Sequence, residues 1–155
     1  MRQAVKLMFT MLVMIAGCSS VNNPVSPISD TLQLDNLQVT LSIPKESFGS
    51  QDTLVARTNV YNSKDDTVSF AIFNCNAITW SVQERSGKPT LSSPPGPDCN
   101  SLTMYSILPH QSQQIRQLTV MIPIVHLAGA QPAPSSYSLV ASDYFGNFSL
   151  KFSVN

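Results

Sequence analysis

The feature that most constrains this chain is an alternation of apolar and polar residues that recurs from residue 37 to the C-terminus. Leu37, Val39, Leu41 and Ile43 alternate with polar residues until Pro44 stops the run. Leu54, Ala56, Thr58 and Val60 line one face of a second run, with Arg57 and Asn59 on the other. Val68, Phe70 and Ile72 follow the turn-forming stretch Asn62–Asp66, and Ile78, Trp80 and Val82 precede a hairpin-type turn at Arg85-Ser86-Gly87-Lys88. Leu102, Met104 and Ile107 make a short run, and Leu118, Val120 and Ile122 another. Tyr137, Leu139 and Ala141 begin the last hairpin, whose Phe145-Gly146-Asn147 turn leads to Phe148, Leu150, Phe152 and Val154. A period of two puts successive side chains on opposite faces of a strand. The spacing therefore predicts seven to nine short strands in an all-β sandwich.

The connections read as turns and loops. Ser47–Asp52 is turn-like. Lys88–Asn100 is a loop because prolines at 89, 94, 95 and 97 supply no ladder donors, and Ile124–Ser136 is a second one. The alternating positions give the chain its own apolar core, so no cofactor is expected.

The first residues read as an address. Met1–Lys6 is basic, Leu7–Ala16 is an uncharged, mostly apolar run too short to span a bilayer, and Ile15-Ala16-Gly17-Cys18 follows. This motif resembles the lipobox of bacterial lipoproteins. The resemblance implies a signal peptide over 1–17, cleavage before Cys18, and lipid (diacylglycerol and a fatty acyl chain such as palmitate) on that residue. Such acyl chains suffice for stable membrane anchoring. Ser19 after the cysteine implies passage to the outer membrane if the cell is Gram-negative. Residues 18–31 are the lipidated cysteine and a polar, proline-containing tether, and residues 32–155 are the domain.

Charge narrows the partners. Charged residues are 12% of the chain and the formal net charge is zero. Removing residues 1–17 takes away Arg2 and Lys6 and leaves seven basic against nine acidic side chains, a net of −2. No run of Lys or Arg exists, so nucleic acid is not an expected partner.

From Leu54 onward the chain resembles the bacterial Ig-like domains typified by the BsuPI intracellular proteinase inhibitor. The matching stretches are VYNSKDDTVSF, WSVQERSGKP, LPHQSQQIRQLTV and YSLVASD. The resemblance implies an antiparallel Ig-like β-sandwich, and it raises proteinase inhibition as an alternative function. Lipoprotein relatives of this type carry a cysteine pair flanking the central hairpin, as Cys75 and Cys99 do here.

No catalytic constellation stands out. Cys75 and Cys99 are the two cysteines beyond residue 18 and read as a disulfide in an oxidising compartment. A metal site with His110 and His126 is the rival reading, but the spacing fits no ligand pattern, so no metal is expected. There is no G-x-S-x-G elbow, and the six glycines make no phosphate cradle. Hence neither an enzyme nor a small-molecule substrate is expected. Trp80 reads as core. Two stretches are candidates for contact with an envelope or secreted protein. One is the proline-stiffened loop carrying Leu91, Ser92, Ser93, Pro94, Pro95 and Asp98, which would lose little entropy on binding. The other is the apolar stretch Met121–Ala130, read first as satellite core and second as a docking patch.

Overall fold

The computed structural model describes residues 26–49, 52–73, 79–93, 101–122 and 135–155. These residues form eleven strands and no helix. In chain order they are β1 (Ile28–Leu34), β2 (Leu37–Ile43), β3 (Ser47–Phe48), β4 (Thr53–Asn62), β5 (Val68–Phe73), β6 (Thr79–Glu84), β7 (Pro89–Ser92), β8 (Leu102–Ile107), β9 (Ser112–Met121), β10 (Ser135–Asp143) and β11 (Gly146–Val154).

One sheet has the order β1-β2-β4-β9 and the other β3-β11-β10-β6-β7, while β5 and β8 pair as a separate two-stranded ribbon. All pairs are antiparallel except β3 with β11. The chain passes back and forth between the two sheets, with β2, β4 and β9 facing β6, β10 and β11. This is an Ig-like β-sandwich.

The core follows from the alternation. Val39, Leu41 and Ile43 from β2, Leu54, Ala56 and Val60 from β4, and Val120 from β9 meet Val82, Leu139, Ala141, Phe148, Leu150 and Phe152 from the other sheet. Ile72 and Ile107 bring the ribbon into the same core. Phe48 packs edge-on against Phe152, with ring centroids 5.6 Å apart. That contact gives the two-residue strand β3 its hold on β11.

Two polar residues are buried in β4. Asn62 is fully buried and donates its side-chain amide to the carbonyls of Asp66 (2.8 Å), Ile107 (3.0 Å) and Leu108 (3.3 Å), while its Oδ1 accepts from the Lys64 amide at 2.9 Å. It thereby ties the end of a central strand to the ribbon, and a buried amide satisfied this fully stabilises one packing over its alternatives. Thr58 is buried beside the β-bulge between β4 and β9, and its hydroxyl has no hydrogen-bond partner among the described residues.

The structure corrects the sequence reading in several places. Ile28–Thr31, assigned to the tether, form the first half of β1. This strand lies beside β11: Asp30 Oδ2 accepts the Ser149 amide at 2.8 Å, and Leu32 crosses Gly146. At Gly146 φ is 147°, a backbone conformation that strains any residue with a Cβ, so the position favours glycine; a Cβ there would also press on the mobile end of the Leu32 side chain, 2.9 Å away. β3 pairs only with Ser153 and Val154, and covering the rest of that edge of β11 in this way protects it from pairing with other chains.

Ser47 and Phe48, expected in a turn, form β3, and beyond them the Asp52 amide donates to the Gly49 carbonyl at 3.0 Å. Lys88–Asn100 is not loop throughout, because Pro89–Ser92 pair with β6. Pro89 stands at the first position of an edge strand, where its missing N–H removes no ladder bond. In β8 the phase is reversed: Thr103, Tyr105 and Ile107 face inward, while Leu102 and Met104 face solvent. The final hairpin turns at Tyr144-Phe145, with Asp143 opposite Gly146, one residue earlier than expected.

Candidate functional site

Few of the residues singled out in the sequence lie close together in the described part of the chain. Cys18, Cys75, Cys99, Pro94, Pro95, Asp98, His126 and residues 123–130 of the apolar stretch lie outside the described residues. So does the 1–17 segment. Leu91, Ser92 and Ser93 are described, and they show how the proline loop is rooted.

The root is a clamp on β6. The Ser93 amide donates to the Trp80 carbonyl at 2.8 Å, and the Trp80 amide donates to Ser93 Oγ at 3.2 Å. Thr90 Oγ1 donates to the Val82 carbonyl at 3.0 Å. Leu91 is half-buried and packs on the core. Ser92 is exposed at the end of the strand. Trp80 is half-buried at the margin of the core, in keeping with its reading as a core residue.

A second surface was missed. On the outer face of the β5–β8 ribbon, Phe73 is opposite Leu102, Ala71 opposite Met104, and Ser69 opposite Ser106. Phe73 is 51% exposed, Leu102 49%, Met104 68% and Leu108, just past the strand, 52%. The inner face is held by Phe70, which stacks on Tyr105 (5.5 Å) and meets Phe145 edge-on (5.5 Å). Tyr105 also donates its hydroxyl to the Ile115 carbonyl of β9 at 3.2 Å. A signal was present in the sequence: Ile107 is out of phase with Leu102 and Met104, so one of the two sets had to face outward. Met121, the described start of the apolar stretch, is also exposed, whereas Ile122 is buried.

The ionisable groups are dispersed. Among the described residues no group of three or more His, Cys, Asp or Glu side chains is arranged to hold a metal ion. Lys45 pairs with Asp52, whose carboxyl is held below its usual value by that hydrogen bond, helped by the Gly49 amide. Asp143 behaves oppositely. Burial pushes its carboxyl above the usual value, against the opposing pull of the Phe145 and Gly146 amides and the Arg116 charge. His110, at φ 56° in the turn before β9, pairs with Asp65 at 2.9 Å on an exposed surface. An open hollow of about 620 Å³ at one end of the second sheet is lined by Glu46, Glu84, Arg85 and Lys151, by the rings of Tyr137 and Phe152, and by neutral polar residues. Its walls mix both signs of charge.

No family model matches the chain, and no curated protein sequence matches it. Among solved structures it is similar to part of a β-glucosidase from Listeria innocua in complex with laminaribiose, at 10% identity and a TM-score of 0.41. It is similar also to part of a β-glucosidase from Erythrobacter marinus, at 12% identity and a TM-score of 0.40. The likenesses cover 82% and 83% of this chain but 16% of each of those chains, so the chain spans about a sixth of the enzymes' length.

Proposed function

We propose that the protein is a non-enzymatic, Ig-like module of the bacterial envelope, held to the membrane by lipid on Cys18 and acting by contact with another protein. The observation that supports this reading most is the Ser93–Trp80 clamp. It fixes the entry to the segment that carries Pro94 and Pro95, whose prolines restrict the backbone, and a segment restricted before binding loses less entropy when it binds. The exposed Ser92 and the acidic Asp98 are its contact candidates. A Cys75–Cys99 disulfide belongs to the same reading, as an envelope compartment permits it. Phe73 is opposite Leu102, with Cys75 two residues beyond one and Cys99 three residues before the other. A bridge between them would tie the proline-rich segment to the chain that follows β5.

Replacing Ser92 with Gly and residues 94–98 with a Gly/Ser segment of equal length tests the contact, since it removes both contact candidates and spares Leu91, the clamp and both cysteines. An unchanged melting temperature with loss of partner capture is the expected result; capture retained by a well-folded variant would refute the loop as the site. Inhibition of a protease by the wild type and not by the variant would favour the inhibitor alternative. In parallel, Cys18→Ala should move the chain out of the membrane fraction or leave it unprocessed. Unchanged mass and partition would remove the anchoring claim.

A further inference from the structure

We propose that the outer face of the β5–β8 ribbon rests on the lipid surface, so that the anchored domain lies on its side against the bilayer. This rests on the lipid-anchored reading above. Neither strand of the ribbon carries a charged residue. Its outward positions read Phe73–Leu102, Ala71–Met104 and Ser69–Ser106 in register, and the two serine hydroxyls bond each other at 2.6 Å. The face therefore offers large, exposed apolar side chains, and its one polar pair is already satisfied. Arg116 stands at the margin, where Nη2 donates to the Phe73 carbonyl at 3.3 Å. Apolar side chains flanked by a guanidinium that remains at headgroup depth suit an interfacial contact.

The reach of the tether selects the bilayer as occupant. β1 begins at Ile28, ten residues beyond Cys18. Ten extended residues span up to about 35 Å. Three strand spacings, about 14 Å, separate β1 from β9, against which the ribbon packs. A lipid plane that holds Cys18 can therefore meet the ribbon. A second copy is the weaker fit, because the face offers on the order of a few hundred Å² of apolar surface and a stable dimer buries roughly 800 Å² per partner. The bilayer needs no matching shape, and the tether keeps the face at high effective concentration.

A photo-reactive benzophenone side chain at Met104, compared with one at exposed Gln38 of β2, tests this on the full-length, processed chain reconstituted in phosphatidylethanolamine/phosphatidylglycerol vesicles. Both positions are on the surface, so folding is spared. Several-fold more phospholipid adduct at position 104 than at 38 is the expected result. Equal adduct at the two positions, with the chain still in the membrane pellet, overturns docking and leaves the anchor standing. Adduct to a second copy or to another protein overturns it in favour of that occupant. A chain that leaves the pellet removes the anchor reading, and the docking falls with it.

Discussion

β11 and β8 are both alternating strands, yet they present their apolar residues in opposite directions. In β11 Phe148, Leu150, Phe152 and Val154 are all buried between the sheets. In β8 the apolar Leu102 and Met104 face solvent, while Thr103, Tyr105 and Ile107 face the core. The difference lies in what each strand is packed against. β11 is hydrogen-bonded into a sheet whose inner face is closed by a second sheet. β8 pairs with β5 alone, and its orientation is set by a few contacts: the Phe70–Tyr105 stack, the Tyr105 hydroxyl on Ile115, and Ile107 in the core. Alternation sorts side chains onto two faces; the neighbouring layer decides which face is inside.

The largest expected effect breaks the comparison directly. Phe148→Ala removes a fully buried ring and should destabilise the fold by ~3–5 kcal/mol, whereas Met104→Ala removes an exposed side chain and should stay within about 0.5 kcal/mol of wild type. Chemical denaturation of the two variants measures both. Similar losses would mean that the outer face of the ribbon is packed as the core is.

A smaller effect sharpens it. Asn62 joins the central strand β4 to the end of β8 through the Ile107 carbonyl. Asn62→Ala leaves buried carbonyls unpaired and should destabilise by about 2–3 kcal/mol. Hydrogen exchange should then quicken in β5 and β8 before it does in β10 and β11. Uniform quickening would show that the ribbon and the sandwich open as one unit.

The smallest effect separates two turn aspartates by pH. The Asp52 carboxyl is held below 3.8, so its contribution to stability is present above that pH and is lost as pH falls through its folded value. The Asp143 carboxyl is held above 3.8, so protonation favours the folded chain, and stability is gained as pH falls from neutrality through its folded value toward 3.8. Melting temperature against pH for Asp143→Asn should lack that acid-side gain, and for Asp52→Asn should be lower than wild type above 3.8. Parallel curves for wild type and Asp143→Asn would show that burial does not raise this carboxyl.

Much of this fold was legible in the residues. Leu37–Ile43 ends at Pro44, Leu54–Val60 keeps one face apolar but for Thr58, and Phe148–Val154 alternates without a break, because each of these strands is buried on one face only and the pattern records that burial. The turn at Arg85–Lys88 was legible too: Gly87 takes φ 81° there, and its amide bonds the Glu84 carbonyl at 2.8 Å. Long-range contacts decided the rest. β1 carries Asp30 in the middle of its run, which reads as polar chain until it is seen to receive the Ser149 amide. β7 begins with a proline that looks like a loop signal, and it is a strand because β6 offers an edge on which the proline needs no donor. The outward face of the ribbon follows the same rule. Local alternation and turn chemistry are written in neighbouring residues, whereas the choice of inner face, edge partner and loop root depends on groups dozens of residues away, and only the tertiary structure brings them together.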